Sequence, residues 1–398
     1  MTDNDLMQRS PHLIRRHRNG KIGRAIFFLS TTIGLVALIV LILSIINQSM
    51  GLVIVRYTVE PATLSDKPLE DLESTELSAI LTQRLKPSRL RTIERDTPLA
   101  TLSRTQLYNL VMEEIVVPKV QKSFHLDESL FQRAKIEQIA SEEYPGAHIT
   151  FRSWINWNFI VGSLSKSPEI AGIRTALMGS LWIILITIVV AFPIGVGAAI
   201  YLEEYASSSS RINRIIQTNI DNLAGVPSIV YGILGLAIFV RSLGDLTQGR
   251  TVISAGLTMA LLILPILIIN AQEAIRAVPN SLRQASYGLG ATQWQTIWHH
   301  VLPYALPGIL TGTILSISRA FGETAPLILV GASSFINKDP SSLFSRFTVL
   351  PIQIYNWTSR PQDTFRNIAA AAIIILILTL LTLNAVAILL RNRFSKRV

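Results

Sequence analysis

The sequence has 398 residues, of which 49% are hydrophobic and 16% charged, and its formal net charge is +10. Soluble domains average about 25% charged residues, and disordered chains combine low hydrophobicity with high charge, so neither class fits this composition. Cysteine is absent, which excludes disulfides, thiolate-bound zinc, iron–sulfur clusters and cysteine nucleophiles.

Six long apolar stretches predict transmembrane helices, because about 20 such residues cross the hydrocarbon core of a bilayer. The first, Ala25–Asn47, lacks a small-x-small cleavage site, so we expect a retained anchor and not a signal peptide. The others are Thr175–Leu202, Ile215–Val240, Thr251–Gln272, Val301–Ser318 with its continuation Thr324–Asn337, and Asn367–Leu390. Prolines inside several stretches favour a packed bundle, in which neighbouring helices satisfy the carbonyls that proline leaves free. The expected fold class is an all-α membrane protein with six transmembrane helices.

Residues 51–166, between the first two spans, have a different composition. They carry 14 Lys/Arg and 15 Asp/Glu, which indicates a water-facing module. Apolar residues recur at helical spacing around Leu77, Leu107 and Ile136, so we expect short helices here rather than a sheet. Trp154 and Trp157 close the module at a position where aromatic side chains often mark the membrane interface.

The distribution of basic residues predicts the orientation of the spans. With both termini in the cytoplasm, the short loops and ends place 14 Lys/Arg inside and 6 outside, as the positive-inside rule requires. The resulting segments are a cytoplasmic N-terminus (1–24), a first span (25–50), an extracytoplasmic module (51–166), a five-span core (167–390) with a cytoplasmic loop at 273–303, and a basic tail (391–398). Because the basic ends flank apolar spans, a lipid bilayer explains the net charge better than nucleic acid does.

The cytoplasmic loop contains a short polar triplet, a glycine and a Leu-Pro pair. The positions are Gln284, Ala285, Ser286, Gly290, Leu302 and Pro303. Their spacing resembles the EAA loop of ABC importer permeases, although Gln284 replaces its acidic residue, Ser286 its second alanine and His300 an aliphatic residue. The resemblance implies that a short helix at about 282–289 docks onto a separate ATPase. A plain connection between two spans is the alternative for such a short motif.

Two opposite charges, Arg319 and Glu323, interrupt the fifth span four residues apart. A lone charge in hydrocarbon is costly, so we expect a pair that faces the bundle interior or a water-filled path. The guanidinium offers a planar fork of donors that matches phosphate or carboxylate oxygens. The carboxylate could hold the arginine or accept a hydrogen bond from a protonated phosphate oxygen. A structural ion pair that pins the helix is the alternative.

The third span also carries polar groups and a backbone break, at Asp221, Asn222 and Gly225-Val-Pro227. Irregular backbone at membrane depth is tolerated where protein or water buries it, so Asn222 is a candidate for the path. Close helix packing through Gly225 is the alternative. Arg174 begins the second span, where its long stem favours contact with lipid headgroups.

Two stretches resemble the phosphate permeases of the PstA and PstC types. They are Arg319-Ala-Phe-Gly-Glu-Thr-Ala-Pro326 and Asn222-Leu-Ala-Gly-Val-Pro-Ser-Ile-Val-Tyr-Gly232, and the segments 347–357 and 384–393 resemble PstA more than PstC. The resemblance spans about residues 168–393, and it does not include the module 51–166. It implies a type I ABC importer permease in the bacterial inner membrane.

The same resemblance implies roles for residues and partners. The candidate path residues are Arg319, Glu323, Thr324, Asn222 and Ser318. The expected partners are a PstC-type permease, two copies of a PstB-type ATPase that binds ATP and Mg²⁺, and a PstS-type phosphate-binding protein outside the membrane. This chain itself is expected to hold no cofactor.

Enzymatic motifs are absent from the sequence. The six histidines show no metal-ligand spacing, and neither a Walker-type phosphate loop nor a hydrolase motif occurs, so we expect neither a metal nor a catalytic site. Three alternatives stay open: a permease for another oxyanion such as sulfate or molybdate, a secondary transporter, and a membrane sensor. A secondary transporter would be expected to show two related halves, and a sensor would need an output domain.

Overall fold

The computed structural model describes residues 11–65, 67–96, 98–207, 210–332, 336 and 338–395. Within these ranges the chain is mainly helical, with five helices long and apolar enough to cross a membrane. They are Arg18–Gln48, Arg174–Tyr205, Val252–Arg276, Gln293–Phe321 and Asp363–Arg393. The number rises to six when the bent pair Arg211–Ala224 and Ser228–Ser242 is counted as one span, and the predicted helical membrane fold is confirmed.

The first part of the chain contains one long helix followed by the module. Its helices are α1 Pro11–Gln48, α2 Ser74–Arg84, α3 Pro87–Asp96, α4 Arg104–Val111, α5 Leu126–Phe131, α6 Arg133–Glu143 and α7 Trp157–Val161. Its strands are β1 Met50–Tyr57, β2 Pro118–Ser123 and β3 His148–Ser153. Short 3-10 turns lie at Pro61–Thr63, Leu69–Asp71 and Leu99–Thr101, and a π-helical turn lies at Met112–Val116.

The second part of the chain forms the core. Its helices are α8 Arg174–Ile200, α9 Arg211–Ala224, α10 Ser228–Gly235, α11 Gly244–Thr247, α12 Val252–Arg276, α13 Asn280–Gly288, α14 Gln293–Thr296, α15 Leu302–Phe321, α16 Ala325–Val330, α17 Leu350–Thr358 and α18 Asp363–Ser395. Segments of π-helix extend three of them, at Tyr201–Tyr205, Leu236–Ser242 and Ile297–Val301.

The module contains a three-stranded antiparallel sheet, and the expectation of helices rather than a sheet was wrong in this respect. The predicted helices around Leu77, Leu107 and Ile136 are present as α2, α4 and α6. The central strand β1 is apolar and buried, whereas its partners β2 and β3 are short and largely polar. Strands of that kind carry little periodic signal in the sequence, because their pairing is long-range.

The module packs directly on one end of the core. Val53 and Val55 of β1 belong to the same buried cluster as Ile173 at the start of the second span. Phe159 of α7 lies against Trp357 of α17, with ring centroids 6.2 Å apart. The continuity of this apolar cluster shows that the module and the bundle share a packed interface.

An arginine reinforces the junction of module and core. The guanidinium of Arg152 lies 4.4 Å from the centre of the Trp154 ring and donates a hydrogen bond to the carbonyl of Glu169. Burial lowers the pKa of Arg152. The same burial raises the pKa of Tyr108 to about 12. Half-buried polar groups therefore lie next to the apolar cluster that joins the module to the core.

The second and fourth spans, α8 and α12, form the centre of the core. Glycines let the two helices approach closely: a side chain at Gly256 would clash with Ile186, and one at Gly195 would clash with Leu267. Prolines lie inside three of the long helices, at Pro193, Pro265 and Pro307, as expected for a packed bundle. The helix α1 contacts α18, but its apolar side chains stay largely exposed, as expected for a helix whose surface faces lipid.

Candidate functional site

The third predicted span is not one straight helix. The helices α9 and α10 meet at 106° around the break Gly225-Val226-Pro227. Pro227 precedes the first turn of α10, and its fixed φ suits the start of a helix. The buried hydroxyl of Tyr231 donates a hydrogen bond of 2.7 Å to the carbonyl of Leu223, on the other side of the break. The bend is therefore stabilised by a side chain that sequence reasoning did not select.

The stretch predicted as the fifth span with its continuation is also interrupted, between the end of α15 at Phe321 and the start of α16 at Ala325. The predicted continuation to Asn337 is too long, because α16 ends at Val330; residues 333–335 and 337 lie outside the described part of the chain. The half-helices α10 and α16 pack side by side. A Cβ at Gly232 would lie 2.6 Å from the Cα of Pro326, so the contact requires glycine. The two breaks thus belong to neighbouring helices.

Arg319 and Glu323 flank this second break, and they form a loose pair. The Arg319 Nε lies 3.9 Å from the Glu323 Oε1, beyond hydrogen-bond distance. The side chain of Arg319 is 54% exposed and that of Glu323 is 22% exposed. Among the described residues, no hydrogen bond engages the Arg319 guanidinium. The pair therefore lies on the surface of this chain's bundle, with donors available, and does not pin two helices together.

The other candidate path residues have separate environments. Asn222 is exposed near the end of α9, and Thr324 is half-buried just before α16. The Ser318 hydroxyl lies 2.8 Å from the Asn384 Oδ1 of α18 and 2.8 Å from the Ile314 carbonyl, so its hydrogen bonds are made within the chain. Ser318 thus joins the fifth and sixth spans.

Arg174 does not extend toward lipid headgroups, as its position had suggested. Its Nε lies 2.8 Å from the Asp339 Oδ2, and the hydroxyl of the next residue, Thr175, donates to the other carboxylate oxygen at 2.7 Å. Asp339 belongs to the segment after α16, far along the sequence. The pair therefore ties the start of the second span to the connection between the fifth and sixth spans.

The loop at 273–303 contains the predicted short helix, as α13, followed by a tight turn. Gly290 has a φ of +84°, a backbone conformation that residues with a Cβ rarely adopt. Gln284 and Ala285 are exposed on α13. Ser286 is buried, and its hydroxyl lies 2.8 Å from that of Thr296, so it holds the loop together instead of facing a partner. Leu302 and Pro303 begin α15, half-buried.

Four charged residues that sequence reasoning missed join this loop to the second span. Arg283 of α13 pairs with Glu204 at 2.7 Å, and Arg276 at the end of α12 pairs with Glu203. Glu203 and Glu204 stand at the end of a long apolar run, which marks the membrane boundary in the sequence. Their partners are more than seventy positions away, so nothing local identifies the pairs.

A protein-family profile described as "Binding-protein-dependent transport system inner membrane component" matches residues 191–398, just over half of the chain. The chain belongs to that family. It is 37% identical over 253 residues to the phosphate transport system permease protein PstA 1 of Mycobacterium tuberculosis, covering 63% of this chain and 79% of that one. It is 35% identical over 239 residues to PstA of Yersinia pestis, covering 59% and 77%.

Further similarities are weaker. The probable ABC transporter permease YqgI of Bacillus subtilis is 31% identical over 258 residues, covering 62% of this chain and 86% of that one. Among solved structures, a bacterial alginate ABC transporter aligns over 77% of this chain and 96% of that one, with 17% identity and a TM-score of 0.44. The methionine transporter MetNI aligns over 57% and 94%, with 17% identity and a TM-score of 0.42.

Family membership confirms the resemblance to PstA-type permeases and a multi-pass protein of the inner membrane. It decides against the secondary transporter and the sensor, because members of the family are components of transport systems that use a binding protein. The family profile begins inside α8, so α1 and the module lie outside it.

Proposed function

We propose that this chain is the permease subunit of an ATP-driven importer of inorganic phosphate and forms half of its translocation pore. The similarity to PstA proteins of two bacteria supports the substrate class. One structural observation carries the proposal: an exposed arginine, with a carboxylate 3.9 Å away, next to the break between α15 and α16. A charge in that position is costly unless it faces water, substrate or a partner.

The chemistry of the pair suits a hydrogen-bearing oxyanion. Arg319 keeps its charge and presents parallel N–H donors to two oxygens of phosphate. Glu323 accepts a hydrogen bond from the hydroxyl of hydrogenphosphate, and it repels an oxyanion that has no proton to donate. A permease for sulfate or molybdate, the second candidate, lacks this advantage because those ions are fully deprotonated at neutral pH.

Because Arg319 is exposed on the surface of this chain, a second permease chain of the PstC type can face it from the opposite side of the translocation path. The termini and the loop with α13 lie in the cytoplasm, and the module lies outside, where a PstS-type binding protein would dock. Gln284 and Ala285, exposed on α13, are available to one of two PstB-type ATPase copies. Those ATPases bind ATP and Mg²⁺, and this chain contributes neither a catalytic group nor a cofactor site.

Uptake into sealed vesicles tests this function. Vesicles would contain this chain with PstC-type, PstB-type and PstS-type partners, with ATP on the side of the ATPase. We expect labelled phosphate to be taken up only when ATP and every partner are present. Excess sulfate or molybdate should not reduce this uptake. If sulfate or molybdate competes as well as unlabelled phosphate does, the second candidate is favoured. Uptake without the ATPase would overturn the proposal.

A further inference from the structure

The π-helical segment Tyr201–Tyr205, at the cytoplasmic end of the second span, is a junction of several elements. It follows α8 without interruption, and its two acidic residues, Glu203 and Glu204, extend toward different parts of the cytoplasmic loop. Single π-turns inside helices are uncommon and often occur at functional sites. The contacts of this segment therefore need an explanation beyond the packing of the span.

The stronger contact joins Glu204 to Arg283 of α13. The Arg283 Nη2 lies 2.7 Å from the Glu204 Oε1 and its Nε lies 3.2 Å from the same oxygen. The arginine also donates to the carbonyls of Val278 and Ile275 at 2.7 and 3.0 Å. The side chains are only 15% and 6% exposed, so solvent and salt screen this pair weakly. One guanidinium thus holds α13, the end of α12 and the end of the second span together.

Two further contacts support the same junction. Arg276, the last residue of α12, pairs with Glu203 at 2.5 Å, with the arginine 59% exposed. The Gln293 amide, at the start of α14, donates to the backbone carbonyl of Glu204 at 2.5 Å. The helices before and after the turn at Gly290 are therefore both bonded to the segment. A displacement of α13 would therefore act directly on the end of the second span through these polar contacts.

We propose that the Glu204–Arg283 pair is a latch that transmits movement of α13 to the second span, so that both residues position the transport machinery without touching substrate. This inference rests on the proposed function, in which an ATPase moves the loop. Contiguous elements that move together can carry coupling between distant sites, and a buried ion pair whose arginine makes six hydrogen bonds supplies such a contact. Without the latch, the ATPase would move α13, but the second span would not move with it.

The test measures phosphate carried per ATP hydrolysed by the complete complex in vesicles. Glu204→Gln keeps the size of the side chain and removes its charge. We expect the complex to assemble and hydrolyse ATP while the ratio falls about tenfold, within the roughly 5- to 150-fold range of measured coupling factors. Arg211→Gln, which removes an exposed charge at the start of α9, is the control and should leave the ratio unchanged. An unchanged ratio in Glu204→Gln would overturn the latch.

A second variant separates transmission from a purely structural role. The chain has no cysteine, so Glu204→Cys with Arg283→Cys adds the only two thiols that a short bismaleimide can join within it. We expect a low ratio before the reagent is added and a ratio near that of the parent after cross-linking. A ratio that stays low after cross-linking, or loss of assembly in both Glu204→Gln and the double variant, would show that the pair is a folding contact.

The same measurements keep this inference distinct from the proposed function. If the parent complex hydrolyses ATP and takes up no phosphate, the proposed function fails regardless of the variants. If the parent takes up phosphate and Glu204→Gln does so with equal efficiency, the function stands and the latch fails.

Discussion

Two Arg–Glu pairs in this chain have the same chemistry and opposite geometry. At Glu204–Arg283 the side chains are 6% and 15% exposed, the closest N to O distance is 2.7 Å, and the arginine is saturated with acceptors. At Arg319–Glu323 the distance is 3.9 Å and the arginine is 54% exposed. A buried pair with every donor used can hold helices together but cannot bind a ligand. A loose pair with free donors can bind an oxyanion and contributes little to stability.

The largest expected effect follows from breaking the tight pair. Arg283→Gln leaves the Glu204 carboxylate buried without its partner, which costs about 3–5 kcal/mol in the free energy of unfolding. Thermal or denaturant unfolding of the purified chain in detergent measures this loss. Arg133→Gln, which breaks a pair with Glu137 whose side chains are 73% and 56% exposed, is the control and should cost about 0–1 kcal/mol. Equal losses in the two variants would remove the distinction between a buried latch and a surface pair.

A change in the loose pair tests its selectivity. Glu323→Gln removes the charge that repels a fully deprotonated oxyanion, and it supplies an amide donor in its place. Loss of a hydrogen bond to a charged group costs about 1.5–3 kcal/mol, so we expect discrimination of phosphate against sulfate to fall about tenfold or more. Competition of labelled phosphate uptake by sulfate measures the change. Unaltered discrimination would place Glu323 away from the bound ion.

The turn at Gly290 follows α13 and offers a second way to displace this helix without breaking the Glu204–Arg283 pair. Gly290→Ala places a Cβ on a residue with a φ of +84°, which costs about 1–2 kcal/mol or shifts the turn. We expect weaker co-purification of the ATPase, because α13 is displaced although its ion pair is intact. Gly288→Ala, two residues earlier in open space on the helix, is the control and should bind the ATPase normally. Equal binding by both variants would show that the turn does not position α13.

Much of the membrane fold could be predicted from the sequence, because a span is a local property of about 20 apolar residues. The Arg319–Glu323 pair could also be predicted from the sequence, since its two residues lie four positions apart. The break at Gly225-Val-Pro227 was predicted too, but its angle of 106° was not, because a proline in a span does not fix how far the chain turns. Its angle depends on the Tyr231 hydroxyl and on the contact of Gly232 with Pro326, which tertiary packing provides.

The contacts that could not be predicted from the sequence are those between residues that lie far apart along the chain. The strands β1 and β2 pair Val53 with Ser123, and the latch joins Glu204 to Arg283 across 79 positions. Neither pairing leaves a periodic or local pattern. The same is true of Ser286, which the loop motif suggested as a contact for the ATPase and which the fold buries against Thr296. Motif spacing predicted the short helix that is present as α13, but it did not show which members of the motif face outward.

The most direct test of the account is the rate of ATP-dependent phosphate uptake by complexes that contain Arg319→Gln. Because Arg319 is exposed and makes no hydrogen bond to the described residues, the variant should fold and assemble like the parent. A lost charge-assisted contact of about 1.5–3 kcal/mol predicts uptake at least about tenfold slower at low phosphate concentration. Uptake at the parent rate by a normally assembled complex would contradict the assignment of Arg319 to the phosphate path.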